Sequence, residues 1–273
     1  MTAELSEAEF LQFSQFIEQE VGIHLSDAKK PLLVARLGKR LRRLELKTFS
    51  DYYRRVLDDP DERVVMFDAI STNETRFFRE AKHFELLDTQ LLPAIKAAAM
   101  KGERPRSLHV WSAGCSTGEE PYSLAMTLLQ HFDPSEWDLR IDATDLSTRV
   151  LDVARAGVWP MRKAAEIPQP LLRRFMLRGT RTQEGTFKAG EELRAIIRFG
   201  RLNLTEHFAM PETYDLVFCR NVLIYFTTAM RRRVVTGLLD HLAPGGHFFL
   251  GHAETLAGIA EGPRSVIPTV YLK

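Results

Sequence analysis

The sequence predicts an α/β chain: a small all-α N-terminal domain, then a doubly wound, Rossmann-like domain carrying a small β-rich insertion. Three observations predict it. Through the first ~80 positions, apolar residues recur at helical spacing. From Ser107 onward, short β-forming apolar runs alternate with helical stretches, the pattern of a mostly parallel sheet with crossover helices. Between Ile167 and Arg201 the alternation breaks into short runs flanked by Gly179, Gly185 and Gly190. The expected divisions are a helical domain at 1–80, a connecting helix and linker at 81–106, and a sheet domain at 107–273 with its insertion at about 167–201. A chain of 273 residues is long enough for two such unequal domains.

The first predicted helix runs Glu7 to Val21, with Ser6 as N-cap, Phe10, Phe13, Phe16 and Ile17 on one side, and Gly22 as the stop. The second runs from Asp27, capped by Ser26, to about Leu46, and buries Leu33, Leu37, Leu41 and Leu44. Its other face is basic: eight Lys or Arg stand against two acids between Ser26 and Lys47, a net +6. Such a run is ordinarily a solvated face, but it also suits an acidic partner helix. Thr48 to Leu57 and Asp61 to Ile70 complete a bundle, with Tyr52, Tyr53, Val56, Val64, Val65 and Phe67 as core candidates. Ser71 to Glu80 reads as a polar loop, yet it holds Phe77, Phe78, Arg76 and Arg79. It is either an inter-helix loop pinned by its two Phe or a lid over the second domain. A helix from Ala81 to Met100 and the polar linker Lys101 to Arg106 follow.

Strands are expected at Ser107–Ser112, Leu139–Ala143, Tyr214–Cys219 and His247–Gly251, with Val266–Leu272 a last strand or hairpin. Helices are expected from Glu119, at Thr148–Ala156, at Pro170–Met176 and at Thr228–Leu242. Thr186–Ala189 and Ala195–Phe199 read as short strands of the insertion, and Pro244–Gly246 as a turn.

In an open α/β sheet, ligands lie across the carboxyl ends of the strands. That selects three loops. The first, Ala113 to Glu120, is a run of small residues opening a helix, but Gly114 and Gly118 are four apart and not in G-x-G-x-x-G order. Glu119 and Glu120 place negative charge where a phosphate would otherwise sit on the helix N-terminus. A nucleoside without phosphate and with a cationic centre, such as S-adenosylmethionine, fits this turn better than NAD. The second loop carries Asp145, placed to accept from two ribose hydroxyls, or else to cap the next helix, a task Ser147 can perform. The third is Arg220-Asn221 followed by Val222, Leu223, Ile224, Tyr225 and Phe226.

Composition excludes several classes. A net charge of +1 argues against a general nucleic-acid or membrane binder. The first residues carry acids and no apolar leader segment, and no apolar run reaches the ~18 residues of a membrane span. Cys115 and Cys219 give no disulfide framework and suit a reducing cytoplasm. No metal-ligand spacing appears. Cys115 lies near a helix N-terminus, but no base is placed to activate it, so a small-residue role is the expectation.

The chain resembles the chemotaxis receptor glutamate methyltransferases over nearly its whole length. The resemblance rests on Ser71 to Arg79, Trp111 to Ser123, Ala143-Thr144-Asp145, Leu202-Asn203-Leu204, Phe218 to Phe226, Pro244-Gly245-Gly246 and Gly251-His252-Ala253-Glu254. It implies methyl transfer from S-adenosyl-L-methionine, leaving S-adenosyl-L-homocysteine, to glutamate side chains of bacterial chemoreceptors. It further implies that Asn73, Thr75 and Arg79 are lid residues on the cofactor. Gly114 lies in the cofactor turn, Glu120 at the methionine or ribose end, and Asp145 on the ribose hydroxyls. Asn203 and Leu204 meet the adenine, Arg220 and Asn221 the methionine part, and Tyr225 the sulfonium region. Arg79 and Tyr225 are the implied catalytic pair: Arg79 would position the acceptor carboxylate and Tyr225 would face the sulfonium through its ring. The basic helix, through Arg36, Lys39, Arg40, Arg42 and Arg43, becomes the expected docking surface for the receptor's cytoplasmic signalling domain. The insertion becomes a possible grip on a receptor tail, and a monomer is expected. Two other readings differ in class. One is a non-catalytic module that binds S-adenosylmethionine for sensing or assembly. The other is a methyltransferase for amides or bases, disfavoured because no Asn/Asp-Pro-Pro-Tyr stands at the Arg220 loop.

Overall fold

The computed structural model describes residues 4–71 and 73–273; Met1 to Ala3 of the acidic N-terminus and Thr72 of the predicted loop lie outside the described residues. Four helices form the N-terminal unit: α1 (Glu7–Val21), α2 (Lys30–Arg43), α3 (Phe49–Asp58) and α4 (Pro60–Ile70). Helix α1 begins and ends as expected, because Ser6 and Glu9 make a reciprocal capping box and Gly22 takes the left-handed conformation at φ 69°. Helix α2 is shorter than expected. Asp27–Lys29 is a 3₁₀ turn, Ser26 makes no side-chain cap, and the α-helix starts one residue before Pro31, whose missing N–H is harmless in a first turn. Leu33, Leu37 and Leu41 of α2 join Phe13, Ile17, Phe49, Tyr52 and Val56 in one core. Val64 and Val65 are only half-buried; the inward face of α4 is Glu62, Met66, Phe67 and Ile70.

The next helix is interrupted: α5 (Ala81–Leu86) passes through a π-turn at Leu87–Leu91 into α6 (Leu92–Met100). Pro93 lies at the start of α6, where its missing donor disturbs the ladder. Phe84, Leu87 and Leu92 sit in the core of the sheet domain, so this segment is packed as part of it. The sheet domain is β1 (Ser107–Ala113), α7 (Glu119–His131), β2 (Asp138–Asp145) and α8 (Thr148–Ala156). Next come β3 (Val158–Pro160), α9 (Gln169–Phe175), β4 (Met176–Arg178), β5 (Thr186–Ala189), α10 (Glu191–Ala195) and β6 (Ile197–Arg201). It closes with β7 (Tyr214–Cys219), α11 (Thr228–Asp240), β8 (Leu242–Leu250), β9 (Arg264–Ile267) and β10 (Val270–Leu272).

The main sheet has the order β6-β2-β1-β7-β8-β10-β9. Strands β6, β2, β1, β7 and β8 are parallel, and β10 and β9 add antiparallel at one edge. Strand order reverses between β1 and β7, so the cleft at their carboxyl ends is the topological switch point.

Two expectations about the insertion are corrected. Its sheet is β3-β5-β4, which begins at Val158 and ends at Ala189. The run at Ala195–Phe199 does not belong to it: Ile197–Arg201 pairs in parallel with Ile141–Asp145 as an edge of the main sheet. A short apolar run fits either sheet, and the decision falls to long-range pairing with β2. Pro244–Gly246 is also no simple turn; it lies within β8, where the register with β7 shifts between Tyr214 and Leu216. The carboxy-terminal run is the hairpin β9–β10, as one of the two options allowed.

Candidate cofactor and acceptor cleft

A cleft of about 350 Å³ opens over the carboxyl ends of β1, β2, β6 and β7. That size suits a small-molecule site. Its walls come from both domains. The sheet supplies Gly114, Ser116, Glu120, Asp145, Leu202, Asn203, Leu204, Arg220, Asn221 and Tyr225; the segment after α4 supplies Asn73, Glu74, Thr75 and Arg79. The third wall, absent from the expected set, is Val21, Ile23, Leu25, Lys29 and Leu32 of the N-terminal domain. His24 donates its backbone N–H to the carbonyl of Tyr225 at 2.9 Å, which fastens that wall to the β7 loop. Among the expected cofactor and catalytic residues, all border this one cleft.

Asp145 ends β2 and is half-buried. Its Oδ2 accepts from Ser116 N at 2.8 Å and its Oδ1 from Ser147 N at 2.9 Å. Ser147, not Asp145, caps α8. Burial raises the Asp145 carboxyl above its usual range, opposed by those N–H donors. Each oxygen keeps acceptor capacity for a hydroxyl.

Arg220 and Glu120 form a buried pair at 2.6 Å, with Ser112 Oγ donating to the other Glu120 oxygen at 2.7 Å. Arg220 is 6% exposed; its Nη1 also donates to the carbonyl of Arg79 and lies 3.4 Å from Glu80. Glu120 thus serves as the partner that holds Arg220 at the cleft. Glu119 turns elsewhere: it is fully buried, pairs with Lys163 and accepts from Thr117. It does not border the cleft, so the acidic helix start contributes one carboxylate there, not two.

The polar loop is fastened down on the sheet domain. The carbonyl of Asn73 accepts from Ser116 Oγ at 3.0 Å and that of Thr75 from Lys163 at 3.1 Å. The N–H groups of Phe77 and Phe78 donate to Glu166 and Ser123, each at 2.9 Å. The Phe77 ring meets Trp159 of the insertion edge-on at 5.0 Å. Both readings of the loop therefore hold: its Phe residues pin it, and in doing so they place Asn73, Thr75 and Arg79 over the cleft. Arg79 is half-buried and donates Nη1 to the carbonyl of Glu74 at 3.0 Å.

Two residues stand differently from expectation. The side chain of Asn203 is committed to the protein: Nδ2 donates to Glu20 O and Glu206, and Oδ1 accepts from Thr205. It latches α1 to the sheet, leaving its backbone and Leu204 for a flat ring. Tyr225 is half-buried, with Lys29 Nζ 5.5 Å from its ring centroid, so a cation already lies near one face of that ring.

The basic helix divides into two sets. Arg40 makes a two-pronged contact with Glu62, which also accepts from Tyr52 at 2.9 Å inside the bundle. Arg36 donates to the carbonyls of Ile70 and Ser71 and so ties α2 to the end of α4. Lys39, Arg42 and Arg43 are exposed. Of the five basic residues expected to dock a receptor, Arg36 and Arg40 are engaged in holding the domain together, while Lys39, Arg42 and Arg43 lie on the surface. Arg40→Ala is expected to leave Glu62 buried without its partner, costing about 3 kcal/mol of stability, checked by urea denaturation.

Cys115 and Cys219 are buried, and burial pushes both thiols well above their ordinary range. They are packing residues. His83, behind Arg220, is pushed down to about 4, mainly by burial and then by Arg220. No His or Cys borders the cleft among the described residues.

The cleft fits S-adenosylmethionine on its own features. Asn73 lines the cleft, and its Nδ2 is buried without a hydrogen-bond partner among the described residues, a donor that a ligand acceptor would satisfy. Gly114, at φ 85°, lies so close to Val222 that a Cβ would meet that side chain at 2.4 Å. The β1 turn and β7 loop therefore close together beneath the site.

Residues 73–270 match the family model described as CheR methyltransferase, SAM binding domain, and residues 8–71 match CheR methyltransferase, all-alpha domain. The chain is 39% identical over 264 residues to chemotaxis protein methyltransferase 2 of Pseudomonas aeruginosa, covering 96% of this chain and 92% of that one. It is 37% identical over 270 residues to the chemotaxis protein methyltransferase of Klebsiella aerogenes, covering 98% and 90%. It is 32% identical over 274 residues to that of Borreliella burgdorferi, covering 98% and 95%.

Proposed function

The chain belongs to the CheR methyltransferase family, and from that premise we propose that it esterifies glutamate side chains on the cytoplasmic signalling helices of chemoreceptors. It is an S-adenosylmethionine-dependent methyltransferase of chemotaxis. The acceptor is the proposed part. The observation that carries it is a cleft bordered by both Arg79 and Tyr225 and by the first turn of α2, with no His or Cys on its walls among the described residues.

When bound, the cofactor supplies a methyl group on a sulfonium, electrophilic enough for direct displacement. A glutamate side chain is already ionised at neutral pH, so this acceptor needs no general base, and the lack of a His or Cys on the walls among the described residues is no handicap. An amine or amide acceptor would have to lose a proton. The protein's work is orientation: Asp145 and Asn73 fix one end of the cofactor, Arg220 and Asn221 the other, and Arg79 aligns the carboxylate. Alignment of this kind is worth on the order of 7 kcal/mol or more. The loop and the apolar Ile23 and Leu25 border the cleft and would limit water around the carboxylate.

Lys29 and Leu32 border the cleft, while Lys39, Arg42 and Arg43 continue along the same helix. From Leu32 to Arg43 is about 16 Å of helix, three turns against which an acidic receptor helix can lie. Reversing charge at Lys39, Arg42 and Arg43 together is expected to raise KM for receptor at least tenfold at low salt, leaving cofactor affinity within twofold. Unchanged receptor methylation would remove α2 from the docking surface. The insertion is the proposed grip for a receptor tail, through the open edge of β4, where Leu177 is exposed.

No helix among the described residues is long and apolar enough to cross a membrane. We place the protein in the cytoplasm, with the receptor domain it modifies. The test is transfer of labelled methyl from S-adenosylmethionine to receptor-bearing membranes, each receptor with and without its tail. Tight cofactor binding with no transfer to any receptor would favour the non-catalytic module.

A further inference from the structure

The loops that follow β7 and β8 converge on one side chain. Glu254, in the turn after β8, is buried at 7% exposure. Its Oε2 accepts from Asn221 N at 2.8 Å and from Gly251 N at 2.7 Å; its Oε1 accepts from Ile224 N at 3.3 Å. Two of these main-chain donors lie in the β7 loop that carries Asn221 and Tyr225, and the third, Gly251, directly follows β8. A buried carboxylate is costly unless such donors satisfy it. Burial raises the Glu254 carboxyl, and the N–H groups oppose that rise.

The clamped loop is also strained and tightly packed. Asn221 takes the left-handed conformation at φ 61°, which a non-glycine residue keeps only when its surroundings hold it. Gly251 lies against it so closely that a Cβ there would be 2.5 Å from Asn221 Nδ2 and 2.8 Å from its backbone N. The next residue, His252, donates its N–H to Glu80 at 3.0 Å, and Glu80 neighbours Arg220. One turn thus braces the residues behind both sides of the cleft.

We propose that Glu254 is a positioning residue for methyl transfer: it clamps the β7 loop to the β8 turn and so fixes Asn221 and Tyr225 against the cleft. The proposal rests on the reading that this loop meets cofactor and acceptor. It has a natural control. Asp215, at the opposite end of β7, also accepts a backbone N–H, from His109 at 2.9 Å, and a bond from Arg104 at 2.7 Å, but far from the cleft.

The experiment compares E254A, E254D, E254Q and D215A with wild type, reading melting temperature, affinity for S-adenosylhomocysteine by calorimetry, and kcat with receptor membranes. E254A is expected to lower kcat about 50-fold and to weaken S-adenosylhomocysteine about tenfold, because a displacement near 1 Å suffices for losses of that order. E254D, which keeps the charge but withdraws it, is expected to lose kcat at least tenfold while folding. E254Q keeps an oxygen that can accept two of the three N–H bonds and is expected to stay within about fivefold of wild type. D215A is expected to lose stability with kcat and affinity within about twofold of wild type. Wild-type kcat and affinity in E254A would overturn the clamp, as would losses no larger than those of D215A at equal melting temperature. If E254A does not fold, full activity and affinity in E254D overturn it. Should wild type transfer no methyl to any receptor, the functional reading fails, while the S-adenosylhomocysteine affinities still decide the clamp.

Discussion

Arg220→Met is expected to abolish methyl transfer and to lower unfolding stability by about 3–5 kcal/mol, because it leaves buried carboxylates without their cation. Glu120 would lose its 2.6 Å partner, and the carbonyl of Arg79 would lose its donor. Thermal denaturation checks the stability, with a fall in melting temperature on the order of 10 °C expected. The double variant Arg220→Met, Glu120→Gln should recover part of that stability, since no unpaired carboxylate then remains at position 120. It should not recover activity, because the Arg79 main chain stays unbraced. A variant that keeps wild-type stability would show that the pair is not structural.

Arg79→Lys is the second large effect, and it separates chemistry from folding. Arg79 is half-buried, and among the described residues its side chain makes one hydrogen bond, to the carbonyl of Glu74. Lysine keeps the charge but loses the planar fork that meets two carboxylate oxygens. The expected result is a kcat lower by about 10²-fold with stability changed by under about 0.5 kcal/mol. Affinity for the cofactor should fall less than kcat. Equal losses in both would make Arg79 a cofactor contact and remove it from alignment of the acceptor.

What could be read from sequence was what local rules govern. Gly114, Asp145, Arg220 and Asn221 were found because each follows a recognisable strand, and strand ends mark the ligand site. Ser6 and Gly22 bounded α1 because capping is decided within a few residues. Where pairing over distance decides, local pattern failed. Ile197–Arg201 went to the main sheet because β2 offered it an edge. The cleft wall at Ile23, Leu25 and Lys29 is held by long-range contacts: Asn203 and Thr205 bond the end of α1, and His24 bonds the carbonyl of Tyr225. Nothing near Ile23 in the chain signals that docking. The basic stripe of α2 was visible, but its division was not. Arg40 looks like Arg43 until Glu62, 22 residues away, is seen to hold it. Glu254 was part of a recognisable run, yet its partners lie 30 and 33 residues earlier.

Proposed transfer of the methyl group to a glutamate carboxylate is tested most directly by the stability of the product bond. Receptor labelled with radioactive methyl by this protein would be split and held in mild base, and the volatile fraction counted. An ester is expected to release its label as methanol nearly completely. Label that stays on the receptor through base treatment would mean transfer to nitrogen and would contradict the assignment.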